Sequence, residues 1–207
     1  MEPRRARFRL TILVALAMLG AAAVAGVLGH RAYYVRKFDV VAPGKLYRSR
    51  QPEGLQWSVL KRHDIRTVIN LRTRSEDPEA LERERSRLAE AGVRFVHIPV
   101  EGHLPTYEQF ERFVREVRAD EGAVLVHCEH GRNRTGFMAA AYRIVTAGWT
   151  VERAMQDIED HGAHPTGDKR RGLVEMLTRI YSEREQWRDR TDPTPAGSSG
   201  PASRQVD

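Results

Sequence analysis

The stretch Val124-Leu-Val-His-Cys-Glu-His-Gly-Arg-Asn-Arg-Thr-Gly136 places a lone cysteine, Cys128, just past a short apolar run, and an arginine, Arg134, six positions later. A short apolar run rich in valine reads as a buried strand, Ala123–His127, and Thr135–Ala147 reads as the helix that follows. A strand that turns directly into a helix makes an anion site. Successive N–H groups of the turn around Gly131 can point inward, and the helix adds its positive N-terminal dipole end. Arg134 supplies a planar fork that matches two phosphate oxygens. The field that attracts phosphate also favours the thiolate of Cys128, which is the nucleophilic form. Thr135 sits where a hydroxyl can hydrogen-bond the sulfur as it leaves in a second step, and Gly136 lets the helix start lie close to the loop. The string therefore nominates Cys128, Arg134 and Thr135 as catalytic, with His127, Glu129, His130, Gly131, Arg132 and Asn133 around the bound phosphate.

Outward from this stretch, β-branched runs alternate with amphipathic ones, the pattern of α/β units around a mainly parallel central sheet flanked by helices. The strand candidates are Val40–Val41 with Leu46–Tyr47, Thr67–Leu71, Phe95–Ile98 and Ala123–His127. Helical spacing marks Gly54–His63, Pro78–Ala91, Tyr107–Arg118, Thr135–Ala147, Val151–Asp160 and Lys169–Glu185. Ser75, Thr106, Thr135 and Thr150 are the expected helix caps. The folded domain is expected over 38–187. The remainder, 188–207, is rich in Pro, Gly and Ser with almost no large apolar residue, and reads as a disordered tail.

Before the domain, residues 1–9 carry Arg4, Arg5, Arg7 and Arg9, and residues 10–29 run without a charge. Roughly 20 apolar residues are what a helix needs to span a bilayer, so 10–29 is expected to be a transmembrane helix and the protein's contact with the membrane. Ala23-Val24-Ala25 leaves a cleaved signal peptide as the alternative. The basic flanks place the catalytic domain on the extracytoplasmic side of a single-pass membrane protein. Those flanks, seven basic residues less Glu2, account for the whole formal charge of +6, so the rest of the chain is neutral. A nucleic-acid binder would concentrate its basic excess on the folded domain, and nucleic acid is therefore excluded as a partner. One cysteine in the chain excludes an internal disulfide framework.

The motif His127-Cys-Glu-His-Gly-Arg-Asn-Arg-Thr-Gly136 resembles the His-Cys-x5-Arg-Thr-Gly signature of the protein tyrosine phosphatase superfamily, in its dual-specificity branch. Segments KLYRSRQP, TVINLR and AAYRIVTAGWTVERAMQDIEDHG are similar to bacterial phosphatases related to the atypical dual-specificity phosphatases of plants and fungi. The likeness runs from about Phe38 to Tyr181. It implies a cysteine-phosphatase fold and a two-step hydrolysis through a phosphocysteine that needs no metal or cofactor. The implied substrates are phosphotyrosine, phosphoserine or phosphothreonine proteins, or inositol phosphates and pyrophosphates.

The chain departs from that family at the general acid, an aspartate on the loop after the strand equivalent to Phe95–Ile98. Here the loop reads Pro99-Val-Glu-Gly-His-Leu-Pro-Thr106 and has no aspartate. Glu101 is the candidate acid and His103 the alternative, because both stand at the C-terminal edge of the sheet with Cys128. Arg72, after the Thr67–Leu71 strand, is a candidate for binding substrate charge. Glu129, His130 and Arg132 make a rim less basic than highly phosphorylated inositols would want, which tilts the reading to phosphoproteins. Asp157, Asp160, His161 and His164 read as helix-end polar residues, and no metal site is expected. Two other readings stay open: a rhodanese-like sulfurtransferase, against which Arg134-Thr135-Gly136 speaks, and a phosphate-binding pseudophosphatase, which the missing aspartate allows.

Overall fold

The computed structural model describes residues 2–35, 38–52 and 57–191. The sheet is organised by alternation along its strands. In β5 (Ala123–Cys128), Val124, Val126 and Cys128 pack into one core, and Ala123 and Leu125 into another on the opposite face. A strand buried on both faces reads as a continuous apolar run, which is why this segment shows no polar alternation. The same parity holds in β2 (Leu46–Arg50) and β3 (Ile65–Asn70). Leu46 and Ile69 join the first core, and Tyr47 and Val68 the second. With β1 (Asp39–Ala42) and β4 (Arg94–His97) the five strands run in the order β1-β2-β5-β3-β4. Among the described residues only β1 is antiparallel to its neighbour. The register sets Cys128 beside Arg50 and His127 beside both Ser49 and Asn70. The sheet's C-terminal edge is thereby assembled from residues 57 to 78 positions apart in the chain.

Two helices cover the second core: α2 (Trp57–Arg62) and α3 (Pro78–Glu90) supply Leu60 and Leu88. The larger core lies under α4 (Tyr107–Ala119), α5 (Asn133–Ala147), α6 (Val151–Asp160), α7 (Gly167–Ser182) and α8 (Arg184–Thr191). Among these, α5 is the central helix, buried along nearly its whole length from Thr135 to Val145. Thr106 caps α4 in a reciprocal box with Gln109, and Thr150 caps α6. The cap of α3 is Asp77, which accepts from the Ala80 amide at 2.9 Å, and the expected Ser75 instead bonds the Thr73 hydroxyl. Thr135 lies inside the first turn of α5 rather than capping it, because the helix begins two residues earlier than its apolar pattern. The stretch expected as one helix over Lys169–Glu185 breaks at Glu183 into α7 and α8.

Residues 2–35 form one helix, α1 (Glu2–Val35). Its described side chains, Ile12 to Leu28, are exposed. Among the described residues no helix is long and apolar enough to cross a membrane. This overturns the transmembrane helix expected over 10–29, and with it the membrane contact and the extracytoplasmic, single-pass placement. At the other end, α8 continues through Thr191, and Trp187 on it is buried against Phe110 with ring centroids 5.3 Å apart. The expected tail from 192 onward lies outside the described residues.

Candidate active site

Cys128 ends β5 and is 3% exposed. The backbone around it is held from both neighbouring strands: the Leu71 amide donates to the His127 carbonyl at 2.9 Å and the Gln51 amide to the Glu129 carbonyl at 3.1 Å. Gly131 then turns the chain with φ +69°. A Cβ there would lie 2.7 Å from the Ser49 carbonyl oxygen and 2.9 Å from the Arg50 nitrogen, so glycine is required both by backbone conformation and by the close approach of β2. The turn feeds α5 at Asn133, with the Gly136 amide donating to the Arg132 carbonyl at 2.8 Å. No backbone carbonyl among the described residues accepts from the N–H groups of Glu129 through Arg134. An anion cradle of the kind the motif implies would draw on these N–H groups and the helix N-terminus.

Arg134 is held ready by a carboxylate that sequence reasoning missed. Its Nη1 and Nη2 donate to the two oxygens of Glu76 at 2.5 and 3.0 Å, and Nη1 also reaches the Leu71 carbonyl at 3.3 Å. Glu76 further accepts from the Thr73 amide and hydroxyl and from Arg72 Nε. Burial pushes the Glu76 carboxyl up, but Arg134, the Thr73 amide and Arg72 outweigh it and bring it down to about 2. Burial likewise works against the Arg134 cation, and Glu76 with the charge of Cys128 overcomes it, so this guanidinium holds its proton above the ordinary range. Arg72, expected to meet substrate charge, is buried. Its Nη1 donates to Gln51 at 3.3 Å and its amide to Asn70 Oδ1 at 2.7 Å. The structure uses it as a support for Glu76.

The alternation that points Cys128 toward α5 points His127 the other way, toward α3. His127 is fully buried, with Nε2 2.8 Å from Glu84 Oε1 and Nδ1 3.3 Å from the Cys128 carbonyl oxygen. The other Glu84 oxygen accepts from Asn70 at 2.6 Å and Gln51 at 3.1 Å. Burial opposes the charge on Glu84, yet His127, Gln51 and Asn70 keep its carboxyl below the ordinary value. A buried carboxylate of this kind survives only when paired and hydrogen-bonded. Its signal in the sequence is position, since Glu84 lies between Leu81 and Leu88 on the buried stripe of α3.

The remaining candidates lie at the rim. Glu101 is exposed on the loop after β4 and makes no hydrogen bond or ion pair with a described residue. His103 is also exposed, but its Nδ1 is 3.4 Å from Asn133 Nδ2 at the first residue of α5, so this loop does reach the mouth of the cradle. Glu129 and His130 face solvent 3.5 Å from each other. The Thr135 hydroxyl and Arg132 Nε are buried without a hydrogen-bond partner among the described residues. Orphaned buried donors are rare, and beside a phosphate-binding loop they are available to sulfur or substrate. Asp157 is committed to Arg48 and Arg143 at 3.2 and 2.7 Å. Among the described residues no group of three His, Cys, Asp or Glu is disposed to hold a metal ion.

Residues 43–171 match the family model described as DSP-PTPase phosphatase fused to NAD+ kinase. Over 127 residues the chain is 33% identical to the dual specificity protein phosphatase TpbA of Pseudomonas aeruginosa strain UCBPP-PA14, an alignment covering 60% of this chain and 55% of that protein. The chain thus spans about half the length of the curated relatives it matches. The crystal structure of P. aeruginosa TpbA superposes with a TM-score of 0.57 at 29% identity, covering 75% of this chain and 90% of the other. A cysteine-to-serine form of it in complex with phosphotyrosine gives 0.53 at 27%, with the same coverage. A putative phosphatase from Shewanella putrefaciens gives 0.58 at 26%, covering 70% of this chain and 93% of its own.

Proposed function

The chain belongs to the dual-specificity branch of the protein tyrosine phosphatase superfamily, and we propose that it hydrolyses phosphomonoesters through a phosphocysteine on Cys128, with phosphotyrosine, phosphoserine or phosphothreonine proteins as substrates. The carrying observation is the loop itself: N–H groups from Glu129 to Arg134 that no backbone carbonyl among the described residues accepts from, Cys128 at its start and the Arg134 guanidinium fixed by Glu76 at its end. In the first step the Cys128 sulfur attacks phosphorus in line with the ester oxygen, the S–P bond forms and the P–O bond breaks. The leaving oxygen takes a proton from Glu101, whose loop reaches the mouth of the cradle. In the second step water gives a proton to the Glu101 carboxylate as it attacks phosphorus, the S–P bond breaks and inorganic phosphate leaves, with Glu101 again protonated. Thr135, with its unpartnered hydroxyl, stabilises the departing thiolate. Charge that develops on the equatorial oxygens is met by donors already in place, the source of most electrostatic catalysis. Support for a phosphoprotein substrate comes from the rim, where Glu129 and His130 offer little positive charge, and from the phosphotyrosine complex of the TpbA relative.

The test is turnover of an aryl phosphate with orthovanadate as inhibitor, followed by a panel of phosphopeptides and inositol phosphates. Cys128→Ser is expected to lower the rate by more than about 10⁴ while vanadate still binds, because the cradle is built from N–H groups and Arg134. Binding without turnover in the unsubstituted chain establishes a pseudophosphatase instead, and sulfur transfer from thiosulfate to cyanide establishes a sulfurtransferase.

A further inference from the structure

Beneath the catalytic loop lies a cation that phosphate cannot touch. Arg48, the central residue of β2, is 1% exposed. By strand parity it shares the α5 side of the sheet with Leu46 and Cys128. Its Nη2 donates to the Gly131 carbonyl at 3.0 Å and its Nη1 to Asp157 Oδ2 at 3.2 Å. The other oxygen of Asp157 accepts from Arg143 at 2.7 Å, and Arg143 in turn caps the carbonyls of Val40 and Val41. A Cβ on Gly136 would meet Arg48 Nη2 at 3.4 Å, so the guanidinium fills the space between the catalytic turn and the start of α5. Burial pulls the Arg48 proton affinity down and Asp157 acts against it. Burying a guanidinium is costly, and an apolar side chain of similar volume would serve packing at least as well.

Resting on the phosphatase reading above, we infer that Arg48 is a positioning residue for the phosphate cradle, which it orients by holding the Gly131 carbonyl away from the anion. In a trans peptide the C=O and the following N–H point in opposite directions. With the Gly131 oxygen drawn down to Arg48, the Arg132 N–H points up into the cradle. If this peptide turns over, the cradle loses a donor and gains a carbonyl oxygen facing a phosphate dianion. Both changes oppose binding, and more so in a site that excludes water. A planar fork is needed to bridge a carbonyl and a carboxylate at once, which lysine cannot do. Asp157 holds the fork in place from α6, so a helix with no residue in the site takes part in shaping it.

The experiment measures orthovanadate affinity, and kcat and KM on an aryl phosphate, for the full chain with Arg48→Met, Arg48→Lys and Asp157→Asn, alongside thermal unfolding. Arg48→Met is expected to weaken vanadate binding about tenfold or more and to lower kcat by a similar factor, with Arg48→Lys recovering only part of either. A residue that serves packing alone would lower the melting temperature and leave vanadate affinity and kcat of the folded protein untouched. Folded Arg48→Met within about twofold of wild type in both quantities overturns the inference. If Arg48→Met does not fold, Asp157→Asn decides. It keeps every donor of Arg48 while loosening its anchor and the neighbouring Arg143 contact, so weaker vanadate binding by the folded protein supports the role and unchanged binding overturns it. Wild-type protein that binds no vanadate overturns the phosphatase reading itself, a result distinct from wild-type binding that the Arg48 variants preserve.

Discussion

Two loops leave the same edge of the sheet and are built in opposite ways. The segment His127 to Arg134 is tied to β2, to Leu71 just past β3, to α3 and, through Arg48, to α6 by carbonyls, buried charges and the close approach of Gly131 to β2. The loop from Pro99 to Pro105 is tied mainly at its ends. Gln109 donates to the Pro99 carbonyl at 2.7 Å, and Leu104 packs near Gly172, while Glu101 and His103 between them are exposed. Phosphate binding and nucleophilic attack demand donors fixed before substrate arrives, since reorganising them during the reaction would raise the barrier. Proton donation to a leaving oxygen needs a group that can approach once substrate is seated. On the proposed mechanism, the tightly held loop would carry charge stabilisation and the loosely held one the proton.

The largest effect that would sharpen this contrast is at Arg134. Arg134→Lys is expected to lower kcat about 10²- to 10³-fold, because a point charge cannot replace a fork already aligned by Glu76. Near-normal steady-state rates on an aryl phosphate would remove the clamp from the mechanism. The glycines give the next test. Gly131→Ala must absorb both a left-handed backbone and a backbone collision at 2.7 Å, and is expected to lose more than about 2 kcal/mol of stability together with vanadate binding. Gly102→Ala, with φ +67° but open space around it, is expected to cost only about 1 kcal/mol and to spare vanadate binding. Urea denaturation and vanadate titration read both. Equal losses at the two glycines would erase the difference between the loops.

Glu101→Gln should slow hydrolysis of an alkyl phosphate such as phosphoserine about 10- to 100-fold and that of an activated aryl phosphate very little, because a good leaving group needs no proton. Identical rates to wild type on both substrates would pass the proton to His103 or to water. The smallest effect concerns Glu76. Its carboxyl is lowered from 4.5 to about 2 in the fold, so its contribution to stability is present above the unfolded value and lost as pH falls from about 4.5 toward about 2. The stability difference between wild type and Glu76→Gln, taken from urea denaturation, should stay level above about pH 5 and shrink below about pH 4.5. A difference that grows with acid would contradict the Arg134 pairing.

Much of this was legible in one dimension. The apolar run before Cys128, the glycine-bearing turn and the spacing to Arg134 are local facts, and local facts dictate a strand, a tight turn and a helix start. Thr106 and Thr150 announced their helices because capping involves residues only three positions away. The pattern was less decisive where neighbouring polar residues compete for one role. Ser75 looked like a cap until Asp77 took the Ala80 amide. Arg72, expected to meet substrate charge, also bonds Glu76 and Gln51.

By itself the sequence determined that a cysteine and an arginine would share a phosphate-sized turn at a strand's end, because backbone geometry over seven residues leaves little else for that pattern to do. What holds the turn in shape was decided only in three dimensions. Strand order β1-β2-β5-β3-β4 brings Arg48 and Ser49 beneath Gly131, and α3 brings Glu84 to His127. The physical reason is that a buried charge is tolerable only beside its partner. These partners come from elements about 43 to 109 residues apart, a pairing that only the folded sheet and its helices specify.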